Sequence, residues 1–390
     1  MLIITIILTA SGVYLSLYVG YYLFLFLVNL VVRDKTNPAL PFKTRIGVII
    51  PAHNEEMLLP RLLRSLETQD YSRALFDVIV VADNCTDETG QLASAFRAKV
   101  LERHDRERIG KGYAIKYALD NIQMDRYDAV FIVDADSILD KDALRNLNQV
   151  FHGSADVIQC YNGVANPNES WFTRLLDVSR TLSNEIFEPA KEKLGLSSHL
   201  MGNGMSINKK VIERYGWNAF TVGEDWEYYA QIISAGQRIA FAKDVRVYHQ
   251  ESRTLKQATP QRMRWSSGRM AVAWRYGLRI FAVGLLQGNL RKIDASFPLL
   301  FPNPSTGVNL NALLLLFSIL LQRPDFVYYF ALMLGLHLFI FMIGISHTKN
   351  RLTNFLALFM APVFLAWKLA IDFFSIIGFG RKTWVRTKRA

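Results

Sequence analysis

The sequence has few cysteines and, over long stretches, no charged residues. Cys85 and Cys160 are its two cysteines among 390 residues, too few for a disulfide framework, and we expect both thiols to stay reduced in a cytoplasmic domain. Asp, Glu, Lys and Arg are absent from residues 1–32, 297–322 and 326–346. These gaps do not fit a typical soluble enzyme, and a charged fraction of 20% over the whole chain does not fit a bundle of membrane helices alone. The composition predicts a mixed chain.

The first charge-free run, residues 1–32, is long enough to cross a bilayer, which takes roughly 20 apolar residues. It lacks the basic start and small-residue cleavage site of a signal peptide, which favours a retained transmembrane helix. Arg33, Lys35, Lys43 and Arg45 follow it, and such a basic flank predicts that the next domain is cytoplasmic. We therefore expect an integral membrane protein, placed in the bacterial inner membrane, that contacts membrane lipids.

Three further segments are predicted to lie in or on the membrane. Residues 297–346 are expected to form a transmembrane hairpin that turns at "RPD". Residues 269–296 mix bulky apolar residues with arginines and predict an interfacial amphipathic segment. Residues 352–390, which are interrupted by Lys368 and Asp372 and end in a basic tail, are expected to be membrane-embedded or interfacial. One apolar stripe at helical spacing faces either the protein core or the bilayer: Trp171, Leu175, Val178, Leu182 and Ile186.

Residues 43–268 alternate between short β-branched runs and helical patterns, as in "RIGVIIPAHNEE", "FDVIVVADNCTDETG" and "AVFIVDADS". This alternation predicts an α/β domain with a mixed, mainly parallel sheet flanked by helices. In such sheets ligands bind beyond the carboxyl ends of the strands. Polar side chains follow the predicted strands at this edge: Asn54, Glu55, Asp83, Asp134 and Asp136.

Several residues of the predicted domain suit phosphate binding or proton transfer. Asp134 and Asp136 point the same way on an extended chain and offer oxygen ligands for Mg²⁺ or Mn²⁺, although a solvated turn is the commoner role of an isolated pair. Lys111 lies between two glycines at a predicted helix start, which suits phosphate contact but does not match a Walker A loop. Asp225, in "VGEDWEYY", would cap a helix or act as a general base. His249 is interpreted as structural, with a metal ligand as the alternative.

The stretch "TPQRMRWSSGRM" groups Gln261, Arg264 and Trp265 within five positions. A guanidinium holds a diphosphate through a rigid fork of donors, and an indole offers a flat apolar surface to a sugar ring. The alternative is the basic end of an interfacial helix. The positive net charge of +11 suits phosphates or lipid headgroups without choosing between them, and no nucleic-acid partner is expected.

Taken together and in order, "PAHNEE", "VVADNCTD", "GKG", "VDADS", "GED" and "QRMRW" resemble the processive family-2 glycosyltransferases, which include the cellulose, chitin, hyaluronan and poly-N-acetylglucosamine synthases. The resemblance implies a cytoplasmic GT-A fold over residues 43–268 that uses a nucleotide-sugar donor, with UDP-sugars as the leading candidates. It implies nucleotide contacts for Ala52, Asn54, Glu55, Asp83 and Lys111.

The resemblance also assigns the chemistry. Asp134 and Asp136 match the motif that binds Mg²⁺ or Mn²⁺, and Asp225 matches the base of a single displacement that inverts the anomeric carbon. Gln261 and Arg264 match the residues that contact the diphosphate. Asn203 (in "GNGM") and Trp265 match residues that contact the donor or the acceptor.

Two functions remain open at this point. The leading one is elongation of a β-linked polysaccharide, with a separate exporter or a homo-oligomer as a candidate partner. The alternative is a non-processive enzyme that adds one or a few sugars to a lipid acceptor such as ceramide, diacylglycerol or a polyprenyl phosphate. The small number of apolar segments favours this alternative. A transporter with a vestigial domain does not fit the intact acidic motifs.

Overall fold

The structure is a computed structural model of the chain that describes residues 2–33, 41–153, 155–301 and 303–379. Lys35 and the basic tail from Gly380 onward lie outside the described residues. A central sheet holds eight strands in the order β3-β2-β1-β4-β7-β6-β8-β5. Their bounds are β1 Ile46–Ala52, β2 Phe76–Asp83, β3 Lys99–Arg103, β4 Ala129–Ile132, β5 Ser137–Leu139, β6 Val157–Val164, β7 Met205–Asn208 and β8 Ile239–His249.

The sheet is mixed, as predicted. Strands β3, β2, β1 and β4 run parallel, β7 runs antiparallel to both β4 and β6, β6 and β8 are parallel, and β5 closes the edge antiparallel to β8. Alternate strand residues face opposite sides, so that Ile49 enters one core and Val48 the other. These two cores confirm an α/β domain of the GT-A type.

Helices cover both faces of the sheet and flank the domain in sequence. Helices α2, α3 and α5 pack in one core and α4, α8 and α9 in the other. The bounds are α1 Leu2–Val31, α2 Leu59–Glu67, α3 Thr89–Ala95, α4 Lys111–Asn121, α5 Ala143–His152, α6 Trp171–Thr181, α7 Glu188–Lys193, α8 Lys209–Tyr215, α9 Glu224–Ser234, α10 Leu255–Val272, α11 Leu278–Leu286, α12 Leu290–Leu300, α13 Pro304–Leu320, α14 Pro324–His347, α15 Arg351–Ala357 and α16 Ala361–Ile376. Short 3₁₀ turns cover Arg73–Leu75, Met124–Arg126 and Leu358–Met360, and π-helical turns cover Leu182–Phe187 and Ala273–Gly277.

Three of the described helical segments are long and apolar enough to cross a membrane: Leu2–Val31, Pro324–His347 and Arg351–Ile376. Helix α13 is also apolar but has 17 residues. It pairs with α14 around a turn at Leu321–Arg323, slightly earlier than the predicted turn, because Pro324 starts α14. Helix α1 packs on α14 through Leu8, Leu15 and Phe330.

The last described segment differs from its sequence pattern. Lys368 and Asp372 interrupt the apolar run, but they form a buried ion pair with each other and contact Ser266 of α10 and Thr306 of α13. Because both charges are satisfied inside the protein, they do not prevent the helix from lying in a membrane. Both a spanning and an interfacial position therefore remain predictions for this segment.

The predicted interfacial segment, residues 269–296, contains the end of α10, the second π-helical turn, α11 and the start of α12. Helices α11 and α12 pack tightly where Gly284 meets Ile293. Large apolar side chains remain exposed along it: Trp274, Leu278, Leu285, Leu286 and Leu290. The exposed side chains support the predicted position at the membrane surface.

Two glycines bring α9 and α10 together. A Cβ atom added at Gly268 would lie 2.8 Å from the backbone of Gly223, closer than real Cβ atoms approach other heavy atoms. The contact joins the segment before Asp225 to the segment that carries Arg264 and Trp265. The predicted "GED" and "QRMRW" motifs therefore meet because neither glycine has a side chain.

We predict that Gly268→Val lowers the free energy of unfolding by about 1–3 kcal/mol, because overpacking forces the two helices apart. Thermal unfolding of the purified chain measures the loss, and sugar transfer should fall with it. Gly335→Ala is the control, since a Cβ atom at this helical position meets nothing within 4 Å. Equal melting temperatures for both variants would contradict the close contact.

Candidate active site

One cavity of about 1270 Å³ extends from the carboxyl ends of the strands to the apolar helices. Strands β1, β2 and β4 end at its polar side, where they deliver Ala52, Asp83 and the Asp134–Asp136 segment. Helices α1, α14 and α16 form its apolar side. Most of the predicted site residues line it: Ala52, Glu55, Asp83, Lys111, Asp134, Asp136, Asp225, Gln261, Arg264 and Trp265.

Lys111 is the central cation of the polar side. Its ammonium forms an ion pair with Asp134, donates a hydrogen bond to the Gly202 carbonyl at 2.5 Å, and lies 3.7 Å from Glu224 Oε1. Burial alone would lower the pKa of Lys111, but Asp134 and Glu224 outweigh it and raise this pKa. Lys111 therefore stays protonated and suited to a phosphate group.

Gly112 explains why a glycine follows Lys111. A Cβ atom at this position would lie 2.1 Å from the carbonyl oxygen of Ala219. Helix α4 therefore begins in direct contact with the loop that leads to α9 and its first residue, Glu224. This contact places Lys111 beside the carboxylates of Asp134 and Glu224.

Asp134 and Asp136 are held by a buried amide. Asn203, which is 2% exposed, accepts a hydrogen bond from the Asp134 backbone N–H at 3.0 Å and donates to Ser137 Oγ at 3.0 Å. Among the described residues, no group of three His, Cys, Asp or Glu side chains is arranged to hold a metal ion. Two carboxylates that face one cavity nevertheless fit Mg²⁺ or Mn²⁺, since such ions take one or two protein carboxylates and complete their shell with phosphate and water.

His249 is a structural residue rather than a metal ligand in this geometry. Its Nδ1 lies 2.9 Å from Asn162 Oδ1 and its Nε2 lies 3.0 Å from Glu251 Oε1, so both ring nitrogens face protein oxygens. Asn162 also accepts from Asn203 at 3.2 Å, and Glu251 accepts from Arg262 at 2.6 Å. A continuous polar network thus links the Asp134 loop to α10.

Asp225 lies at the start of α9 against the carboxylate of its neighbour. Its Oδ1 accepts from the Trp226 backbone N–H at 2.8 Å, but Gly223 is the N-cap residue and no side chain caps the helix. Burial and then the negative charge of Glu224 raise the pKa of Asp225 to about 7. A carboxylate with this pKa, which also lines the cavity, matches a general base at neutral pH. Capping does not account for Asp225, which is the second residue of the helix.

We predict that kcat/KM falls as the pH drops below about 7, because Asp225 must be ionised to accept a proton. Glu224→Gln removes a charge that raises the pKa of Asp225, so the fall should move to lower pH. Asp225→Asn should cost about 10²–10⁴-fold in kcat. Initial rates across the pH range measure these effects, with Glu213→Gln on the exposed face of α8 as the matched control. A profile that stays level through pH 7 would argue against this base.

The "QRMRW" motif of α10 contributes side chains both to the cavity and to the polar network around Glu251. Arg264 lies near Glu224 and Asp134, which oppose the lowering of its pKa by burial. Trp265 lines the cavity and lies 4.5 Å from the Arg262 guanidinium, which covers its ring. Gln261 is buried and also lines the cavity. Trp265 and Asp136 therefore share one cavity, as the sequence predicts.

Two predicted site residues, Asn54 and Asn203, do not line the cavity. Asn54 Oδ1 accepts from the Thr86 backbone N–H at 2.7 Å and so fixes the loop after β2. Asn203 Oδ1 accepts a hydrogen bond from the Asp134 backbone N–H and so holds that segment in place. Asp83 does line the cavity, and its carboxylate pairs with Arg103 at 2.6 Å. Burial raises the pKa of Asp83 although Arg103 opposes it.

The cavity residues that the sequence patterns do not single out include His53, Trp226 and Arg180. His53 and Trp226 each adjoin a motif residue, and this adjacency was the available signal. Trp226 stacks on His199 with ring centres 5.3 Å apart. Arg180, on α6, belongs to no motif, so its position in the cavity depends on tertiary packing alone.

The family described as "Glycosyltransferase like family 2" matches residues 44–268, more than half of the chain, and the protein therefore belongs to this family. Residues 44–268 form its glycosyltransferase domain.

Individual relatives are more distant. The probable glycosyltransferase YdaM of Bacillus subtilis is 24% identical over 246 residues, which cover 61% of this chain and 58% of YdaM. The beta-monoglucosyldiacylglycerol synthase of Nostoc sp. is 24% identical over 234 residues, which cover 55% and 48%. The chain thus spans about half the length of these relatives.

Among solved structures, the mannosyltransferase PcManGT from Pyrobaculum calidifontis, in complex with GDP-Man and Mn²⁺, matches with a TM-score of 0.59. The match covers 94% of this chain and 99% of that chain at 18% identity. This likeness confirms the fold over the catalytic domain and the flanking helices.

Proposed function

We propose that the protein is a membrane glycosyltransferase that moves one or a few sugars from a nucleotide sugar to a lipid acceptor. The observation that carries the proposal is the single cavity, which joins the Asp134–Asp225 cluster to the apolar helices α1, α14 and α16. A headgroup would reach Asp225 while its chains remain among these helices. The relative named for monoglucosyldiacylglycerol synthesis supports this choice of acceptor.

The apolar end of the cavity reaches the outer surface of the protein. Leu338 of α14 lines the cavity and is 54% exposed. On α16, Phe364 and Leu365 line the same end. A lipid would therefore enter sideways from the bilayer, without leaving the apolar phase.

The transfer is a single displacement. Asp225 takes the proton of an acceptor hydroxyl, whose oxygen bonds to the anomeric carbon as the bond from that carbon to the diphosphate breaks. The nucleoside diphosphate leaves with the electron pair, and the configuration at the anomeric carbon inverts. Lys111 and Arg264 stabilise the charge that develops on the leaving group.

Asp134 and Asp136 would hold Mg²⁺ or Mn²⁺, which supplies further positive charge to the diphosphate when bound. The structurally similar PcManGT was solved in complex with GDP-Man and Mn²⁺, which supports a divalent metal in this proposal. With that ion bound, the leaving-group side of the cavity would combine a metal, a lysine and an arginine.

Polysaccharide elongation is the second candidate. Trp265 favours it, because an indole in the cavity would support the sugar ring of a growing chain. Two observations favour the lipid acceptor instead. Arg262 covers the indole ring, and the described residues include three helices with the length and hydropathy of a membrane span. A polysaccharide would need a channel between these few helices, whereas a lipid acceptor needs none.

We predict that the purified full chain transfers label from UDP-glucose, UDP-N-acetylglucosamine or GDP-mannose into the chloroform-soluble fraction of added bacterial lipid vesicles. Leu338→Gln, which makes the lateral opening polar, should lower this transfer severalfold. Leu332→Gln is the matched control, since Leu332 lies on the same helix, is 60% exposed and does not line the cavity. Label recovered mainly in ethanol-insoluble polymer would instead support polysaccharide elongation.

We further predict that an excess of chelator abolishes transfer and that added Mn²⁺ or Mg²⁺ restores it. Asp136→Asn should raise the metal concentration that gives half of the maximal rate, because one of two protein carboxylates is lost. Asp120→Asn is the control, since Asp120 is exposed and pairs with Lys116. Full turnover in the chelator would remove the metal from the proposal.

A further inference from the structure

Arg180 differs from the other cations of the cavity. Within the described part of the chain, its guanidinium makes one hydrogen bond, from Nη1 to the thioether sulfur of Met201 at 3.9 Å, and forms no ion pair with an acidic side chain. A thioether is a weak acceptor, and a guanidinium carries five donors. Most of the donor capacity of Arg180 is therefore available to a ligand.

Neighbouring cations that line the cavity already have partners. Lys111, Lys191, Arg262 and Lys368 pair with carboxylates. Arg269 donates to the carbonyl oxygen of Pro298 at 2.8 Å. These groups stabilise the protein itself, so they do not explain why Arg180 faces the cavity.

Arg180 lies on the membrane side of the base. Its helix, α6, packs directly on α14, where Val178 and Leu182 surround Gly344. The contact residue Met201 precedes Gly202, and the Cβ position of Gly202 lies 3.1 Å from Asp225 Oδ2. The guanidinium therefore lies close to the reacting centre, on a helix that packs against the apolar α14, where an acceptor headgroup would lie.

The segment that carries Arg180 contributes both apolar and polar side chains to the cavity, the former including Leu176 and Leu182. Ser179 and Ser183, on the same helical segment, also line the cavity. The negative charges of Glu251 and Asp225 act on Arg180 from a distance, whereas Arg262 repels it.

We propose that Arg180 binds the phosphate of an anionic lipid acceptor whose phosphate-linked headgroup also carries the reacting hydroxyl. This inference rests on the proposed function and narrows its acceptor. The guanidinium fork matches two phosphate oxygens, and the donor diphosphate already has Lys111 and Arg264. Asp225 needs a hydroxyl, because an ionised phosphate oxygen brings no proton to a base. The acceptor therefore combines both groups.

Two lipid classes share this chemistry, a glycerophospholipid with a polyol headgroup and a polyprenyl diphosphate that carries a sugar. Four acceptors in detergent micelles separate the possibilities. Phosphatidylglycerol and undecaprenyl-diphosphate N-acetylglucosamine have both groups, diacylglycerol has the hydroxyl alone, and undecaprenyl phosphate has the phosphate alone. We expect transfer to one or both of the first two, and the preferred acceptor identifies the lipid class.

Arg180→Met should raise KM for that acceptor about 10- to 100-fold, the value of a charge-assisted pair of hydrogen bonds, with a smaller change in kcat. Arg180→Lys should fall between, since it keeps the charge and loses the fork. Arg174→Met is the matched control, because Arg174 lies on α6 outside the cavity and contacts Asn168. Melting temperatures of all three variants check their folding.

Two outcomes would overturn the anionic acceptor and leave the proposed function standing. One is diacylglycerol used as efficiently as phosphatidylglycerol, and the other is an acceptor KM that Arg180→Met does not change. A different result would overturn the proposed function itself: hydrolysis of the nucleotide sugar without label in any of the four lipids.

Discussion

The site depends on one electrostatic constraint, the presence of Asp134, Glu224 and Asp225 around a single buried space. Carboxylates repel one another strongly when water is excluded, and Lys111 is the group that contacts two of the three. It arrives there because Gly112 lets α4 touch the loop before α9. Burial, together with the negative charge of Glu224, raises the pKa of Asp225 to about 7, which suits a group that acts near neutral pH.

Residues that act where a strand ends could be predicted from sequence. A buried β-branched run followed by Asp83 or Asp134 is a local pattern, and parallel strands bring such ends to one edge. Asn203 shows the limit of this reasoning. Its motif was visible, but its side chain supports the Asp134 backbone because β7 lies next to β4, and that neighbourhood is a property of the sheet order.

Charge patterns along the chain say less about position than strand patterns do. Lys368 and Asp372 interrupt an apolar run and favour a membrane-embedded or interfacial segment, and in the structure they pair with each other beneath α10 and α13. A buried ion pair at helical spacing cannot be distinguished in sequence from two solvated charges. Arg180 shows the same limitation, because only packing on α14 reveals which surface it faces.

The π-helical turn Leu182–Phe187 shows how one helical segment serves both the cavity and the sheet. It follows α6, and the added residue in such a turn changes the direction of the side chains from that point on. Arg180, before the turn, lines the cavity, whereas Asn184, within the turn, donates to the Asn162 carbonyl of the sheet at 2.9 Å. Asn162 belongs to the network that holds the Asp134 loop. A headgroup bound by Arg180 would therefore lie on a helix fixed to the same support as the metal-binding loop, so acceptor and donor are positioned against one frame.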